Sequence, residues 1–338
     1  MITFASPVAF ASALADLKAP DCAARSAALS RQRRLTKPAG SLGRLEDIAV
    51  FFAGWQGREQ PRIQQGRTIV FAGNHGITVH GVSAFPASVT AGMVANFRAG
   101  GAAINALSGA AGLDLAVVPL EIERPTADFT QSPAMTEDEC LAALNAGAAA
   151  VGSDLDTIVL GEMGIGNSTA AAALCARSLG GDAASWVGPG TGIDSAGIDR
   201  KVAVVDRALA HHDGAPRSAF ETLRRVGGRE TAALAGAILR ARQLGIPVLL
   251  DGFICCSAIA PLFADNPAIV DHCLAGHCSA EPGHERLLGQ FGLDPLLRLD
   301  MRLGEGSGAA VVAGVVRAAL ATHNEMATFN EAGIADAL

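Results

Sequence analysis

Residues 155–169, "LDTIVLGEMGIGNST", decide the fold. The uncharged run 157–161, with three β-branched residues in succession, Thr157, Ile158 and Val159, reads as a strand buried on both faces. It passes through a glycine-rich turn into "STAAAALCARSL", whose alanines and leucines favour a helix over 168–179. Strand, tight glycine turn, then helix is the unit from which parallel sheets are built. The same alternation recurs in both directions. "RTIVFAG" (67–73), "LDLAVVPL" (113–120), "ASWVGPG" (184–190) and "GIPVLLDG" (245–252) read as further strands, and 87–107, 136–151, 197–211 and 229–243 as helices between them. Right-handed crossovers then give an open parallel sheet, an α/β fold of Rossmann-like type.

The chain ends read differently. Residues 8–56 form helical patterns without a strand, and Ser41 is the expected N-cap of "LGRLEDIAVFFAGW". The last long helix, about 306–324, is expected to return to them. The helical ends, 1–60 and 306–338, are thus expected to group together apart from the α/β part over 61–305.

Composition narrows the function. Of 338 residues 50% are hydrophobic and 4% aromatic, with no Tyr, so Ala, Val, Leu and Ile must fill the core. The formal charge of −7 argues against a nucleic-acid or anionic-membrane surface. No run of 18 uncharged apolar residues reads as a membrane span, and the first apolar stretch lacks a basic start. Seven cysteines without a CxxC suit buried thiols in a reducing compartment, and a cytoplasmic protein is expected.

In open parallel sheets ligands bind beyond the carboxyl ends of the strands. The loops "AGNHGI", "GEMGIGNST", "GPGTGI" and "LDGF" should therefore build the site. Gly164 and Gly166 permit close backbone approach, and Asn167, Ser168 and Thr169 offer donors where a helix begins, an arrangement suited to phosphate. No Lys precedes the Ser/Thr as in a Walker A loop, so one phosphate fits better than three. Lys201 is a candidate counter-charge, set against an ordinary solvated helix lysine. The stretch 271–284 carries His272, Cys273, His277, Cys278 and His284, but its spacing matches no common zinc module, and no metal is assigned. Glu305, between two glycines in "RLGEGSGAAV" (302–311), and Glu162, at the end of a strand, are the acids to explain, a helix-end charge interaction being the plain alternative. A dinucleotide oxidoreductase needs a GxGxxG turn after the first strand, which "AGNHGI" does not supply. A non-catalytic nucleotide sensor stays open at this point.

Taken together, "KPAGSLGRLE" (37–46), "GNHGITVHGVSAFPASVT" (73–90), "GGAAIN" (100–105), "GEMGIGNST" (161–169), "LLDGF" (249–253), "HCSAEPG" (277–283) and "MRLGEGSGAA" (301–310) resemble the nicotinate-nucleotide:dimethylbenzimidazole phosphoribosyltransferase family of the cobalamin pathway. The resemblance runs in order over nearly the whole chain. It implies transfer of phosphoribose from nicotinate mononucleotide to 5,6-dimethylbenzimidazole by a homodimer, with no metal or redox cofactor. By resemblance Glu305 is the general base. Glu162, Gly164, Gly166, Asn167 and Ser168 with Lys201 and Ser279 match the nucleotide side, and Phe85, Met93 and Met163 match the base pocket. Asn74 stands where many relatives have Asp, an exchange that keeps hydrogen bonding and removes a charge.

Overall fold

In the computed structural model, which describes residues 3–190 and 192–335, five parallel strands form one open sheet in the order β2-β1-β3-β4-β5. They are β1 (Gly66–Ala72), β2 (Asp114–Pro119), β3 (Thr157–Met163), β4 (Val248–Leu250) and β5 (Cys273–Ala275). β3 lies at the centre, its Ile158 opposite Arg67 of β1 and Val248 of β4.

The sheet is covered on both faces, as the unbroken apolar runs require. Ile158 and Leu160 pack on one side with Leu234 and Ile238 of the Arg229–Leu244 helix and Leu174 of the Asn167–Leu179 helix. Val159 points the other way, into a layer with Val312 and Val316 of the Ser307–Glu325 helix and Ile48 and Phe52 of the Arg44–Gln56 helix. The alternation of side chains along a strand thus assigns each helix to a face. The chain ends meet: the Arg31 guanidinium donates to the carbonyls of His323, Asn324 and Met326, and Leu35 bridges Thr328.

Three local expectations need correction. Residues 184–190 are not a strand but a 3-10 turn, Ala183–Ser185, followed by a loop. Pro189 lacks the amide a ladder needs, and the Trp186 indole is anchored instead on the Gly180 carbonyl. The fifth strand is Cys273–Ala275, inside the His- and Cys-rich stretch. The expected 87–107 helix is two, Ser88–Ala99 and Ala103–Ala110, parted where Gly100 takes φ 81°. Ser41 caps nothing: Arg44–Gln56 starts after Gly43, and Glu46 reaches back to the Leu42 amide while pairing with Lys37 at 2.8 Å.

Candidate active site

The carboxyl ends of β3 and β4 open into a cleft. One wall is the turn after β3, with Glu162, Met163, Gly164, Asn167 and Ser168; the facing wall is formed by Gly252, His277, Ser279 and Glu281, with Arg302 and Gly304 at the rim. Seven of the residues singled out from the sequence line it: Glu162, Met163, Gly164, Asn167, Ser168, His277 and Ser279. The "GPGTGI" loop contributes Gly190, while its Thr191 lies outside the described residues.

Gly166 sets the turn rather than the wall. It takes φ 95° as the N-cap of the 167–179 helix, and a Cβ there would meet Thr78 at 2.8 Å. That conformation is open to glycine at little cost. Ser168 then stands on the first helical turn, where free amides and the helix dipole favour an anion. Its hydroxyl accepts a hydrogen bond from Lys201 Nζ at 3.1 Å, and the same ammonium donates to the Gly188 carbonyl at 3.0 Å. Lys201 is therefore not a solvated lysine: it is 1% exposed. Burial pulls its pKa down to about 8, against the opposing charge of Glu281. Thr169, one residue on, faces inward and is fully buried.

Glu162, one residue before the end of β3, has its carboxylate buried, accepting from Asn167 Nδ2. Burial, then the charges of Asp251 and Glu230, push its pKa up to about 8. Glu305 lies across from it on a separate turn. Its amide donates to the Glu162 carbonyl at 3.3 Å, and with Gly304 (φ 85°) and Gly306 (φ 85°) it makes three consecutive left-handed residues, its own φ being 64°. A non-glycine residue held there carries about 1–3 kcal/mol of strain that the surroundings must sustain. Glu305 is 4% exposed and its Oε2 has no hydrogen-bond partner. Burial raises its pKa, Asp251 adds to the rise, and the Ile104 amide at the start of the 103–110 helix opposes it. A carboxylate with an open lone pair and increased basicity is equipped to take a proton.

Met93 and Met163 pack together with Ile104, Val70 and Ala310, the last on the helix that follows Glu305. Phe85 is 50% exposed and outside this cluster. Asn74 is tied into the adjoining loop, donating to the Ile122 carbonyl and accepting from Thr90.

Sequence reasoning did not single out Asp251, Glu281 or Glu230, and named His277 only within the 271–284 stretch. Asp251, at the end of β4, accepts from the amides of Gly306 (3.1 Å) and Ala309 (3.0 Å). His277 lies against it, Nε2 3.3 Å from Asp251 Oδ1 but off the direction of a hydrogen bond. Glu281 sits beside Lys201 with its pKa raised by burial. Glu230 is wholly buried on His75 at 2.6 Å. Signals exist for three of them, since "LDGF" reads as a strand-end loop and "HCSAEPG" carries part of the family resemblance. The other histidines of the 271–284 stretch disperse: His272 is held by the Ile238 carbonyl, and His284 accepts from the Ser279 amide at 2.9 Å. Among the described residues no group of three or more His, Cys, Asp or Glu side chains could hold a metal ion, and no helix is long and apolar enough to cross a membrane.

An anion cradle beside buried carboxylates of raised basicity at the carboxyl ends of a parallel sheet suits transfer of a phosphorylated sugar, and a family model described as "Phosphoribosyltransferase" matches residues 17–334. The chain is 70% identical over its full length, and over the full length of the relative, to the nicotinate-nucleotide–dimethylbenzimidazole phosphoribosyltransferase of Novosphingobium aromaticivorans. It is 56% identical to that of Rhodobacter capsulatus, with 96% of each chain covered. A crystal structure of the enzyme from Thermus thermophilus superposes with TM-score 0.87 at 39% identity, over 94% of this chain and 100% of that one. The chain belongs to the nicotinate-nucleotide–dimethylbenzimidazole phosphoribosyltransferase family.

Proposed function

We propose that the cleft transfers the 5-phosphoribosyl group of nicotinate mononucleotide to 5,6-dimethylbenzimidazole, giving α-ribazole 5′-phosphate and nicotinate. The observation that carries this is the pairing, on opposite sides of the end of β3, of an amide-and-lysine cradle at Ser168 and Lys201 with a buried Glu305 carboxylate whose Oε2 has no hydrogen-bond partner.

The glycosidic bond breaks with its electron pair passing to the pyridinium nitrogen, so nicotinate leaves without protonation. One benzimidazole nitrogen forms the new bond to the ribose carbon from the opposite face, turning a β-nucleotide into an α-product. The other nitrogen must lose its proton, and Glu305 takes it. The negative charge of Glu305 also stabilises positive charge developing on the sugar. Ser168, Lys201 and the 164–168 backbone hold the phosphate, with Ser279 on the facing wall. Met93 and Met163 supply adaptable apolar contact for a flat bicyclic ring, and Phe85 is assigned to the same pocket by the family resemblance alone.

The grouping of 1–60 with 306–338 as a small helical domain is supported by the bonds from Arg31 to the 323–326 carbonyls. A homodimer is the assembly this reading expects. The test is incubation with nicotinate mononucleotide and a panel of bases, followed by mass spectrometry and assignment of the anomer by NMR. Release of nicotinate with an α-linked dimethylbenzimidazole riboside phosphate is the expected result; a β-linked product or none overturns the reading.

A further inference from the structure

We propose that Asp251 is a positioning residue for the reaction: by clamping the first turn of the 307–325 helix and facing Glu305 with its charge, it holds the base in place and sets its proton affinity. The inference rests on the assignment of Glu305 as the base.

The geometry is specific. Asp251 is 2% exposed at the end of β4, and its two oxygens accept separately, Oδ2 from Gly306 and Oδ1 from Ala309. These amides would otherwise be unpaired donors at a buried helix start. Gly306 directly follows Glu305, so the clamp fixes the left-handed turn that aims the base. The contact is between strand and helix and spans 55 residues of sequence. His277 completes the packing on the other side: a Cβ at Gly308 would lie 2.2 Å from its ring, so the helix approaches the imidazole only because that position is glycine.

The charged groups around Glu305 are few. β3 presents Glu162, β4 presents Asp251, and behind them stand Glu230 toward Glu162 and His277 toward Asp251. The 103–110 helix, "AINALSGA", brings no ionisable side chain. Asp251 is therefore the acid whose charge and hydrogen bonds act on Glu305 together. An anion close to a carboxylate disfavours its ionisation and makes it a stronger base.

The test uses the full chain, with kcat and both KM values measured from acid to alkaline pH for wild type, Asp251→Asn, Asp251→Glu and Glu305→Gln. Activity is lost on the acid side as the base takes a proton, so removing the Asp251 charge should move that limb to lower pH by roughly half a unit or more. Asp251→Asn should also lower kcat by about 10- to 100-fold with the KM for nicotinate mononucleotide little changed. Asp251→Glu keeps the charge one methylene away and should keep the limb while losing about tenfold in kcat. An unmoved limb in folded Asp251→Asn overturns the inference and leaves a plain helix clamp. Wild-type kcat in Asp251→Glu overturns it even where Asp251→Asn does not fold. Loss of turnover in Glu305→Gln beside an unmoved Asp251→Asn limb defeats this inference alone; wild-type turnover in Glu305→Gln defeats the base assignment and this inference with it.

Discussion

Gly161 lies directly against the backbone of Glu305: a Cβ at 161 would stand 2.2 Å from the Glu305 carbonyl oxygen. The strand that carries Glu162 and the turn that carries Glu305 can touch only because the residue between Leu160 and Glu162 has no side chain. Gly161→Ala should push the 304–306 turn off β3. A displacement of about 1 Å at a catalytic group costs on the order of 10²-fold, so kcat should fall by about that factor. The nucleotide cradle is on the other side of the strand end, and the KM for nicotinate mononucleotide should change little. Steady-state kinetics with varied nucleotide separate the two; an equal rise in KM would show that the turn shapes the nucleotide site as well.

Lys201 gives a pH prediction. Its pKa, lowered to about 8 by burial, means that the free enzyme loses this positive charge as pH rises through about 8. The value of kcat/KM for nicotinate mononucleotide should therefore fall on the alkaline side, through KM. A hydrogen bond to a charged group contributes about 1.5–3 kcal/mol, so Lys201→Met should raise that KM by about 10- to 100-fold and abolish the alkaline fall. Isothermal titration across pH checks the same point on binding alone. An unchanged KM would reduce Lys201 to a prop for the Gly188 carbonyl and Ser168 hydroxyl.

The base side separates by burial. Met163 packs with Met93 and Ile104, whereas Phe85 is half exposed. Met163→Ala should raise the KM for dimethylbenzimidazole by about tenfold, the scale of one or two lost apolar contacts in a pocket, and leave that for the nucleotide unaltered. Phe85→Ser should have the smaller effect. In competition dimethylbenzimidazole should outrun adenine, whose polar edge finds no partner among thioethers; a higher specificity constant for adenine would remove Met93 and Met163 from the base pocket.

The parts of this site that are legible in the sequence are those built from neighbours. β1 and β3 announce themselves because both faces are buried, and the 164–168 turn because its glycines and donors are consecutive. β5 is hidden by brevity: three residues, Cys273–Ala275, lie amid side chains that suggest metal chemistry. "ASWVGPG" misleads in the opposite sense, since Trp186 and Val187 are apolar for the sake of the core while Gly188 and Gly190 make room for Glu281 and Ser168. The roles of Asp251 and Gly161 are beyond a linear reading altogether. Their partners are Gly306, Ala309 and Glu305, distant in sequence and brought close only by the stacking of the last helix on the sheet. Glu305 itself is visible through its two flanking glycines, which the structure explains by the run of left-handed φ angles.

The last prediction concerns that residue. Glu305→Gln preserves shape and backbone conformation but leaves no base and no charge. A positioned base accounts for about 10² to 10⁴ in rate, and turnover should fall within that range. Because the interaction is made with the attacking base and grows in the transition state, the affinity for nicotinate mononucleotide should hold. Stability should not suffer either. Burial raises the Glu305 pKa, so the folded state disfavours its charge, and replacing the carboxylate with an amide removes that penalty. For a carboxyl whose pKa is raised on folding, the penalty is absent below the unfolded pKa and grows as pH rises toward the folded one. The melting temperature of Glu305→Gln should accordingly match wild type in acid and equal or exceed it near neutrality. A helix-end acid with no catalytic role gives the reverse: about 0.3–1 kcal/mol of stability lost and an undiminished rate. Turnover, nucleotide affinity and melting temperature measured on one preparation decide between a base held under strain and a charge that only serves the helix.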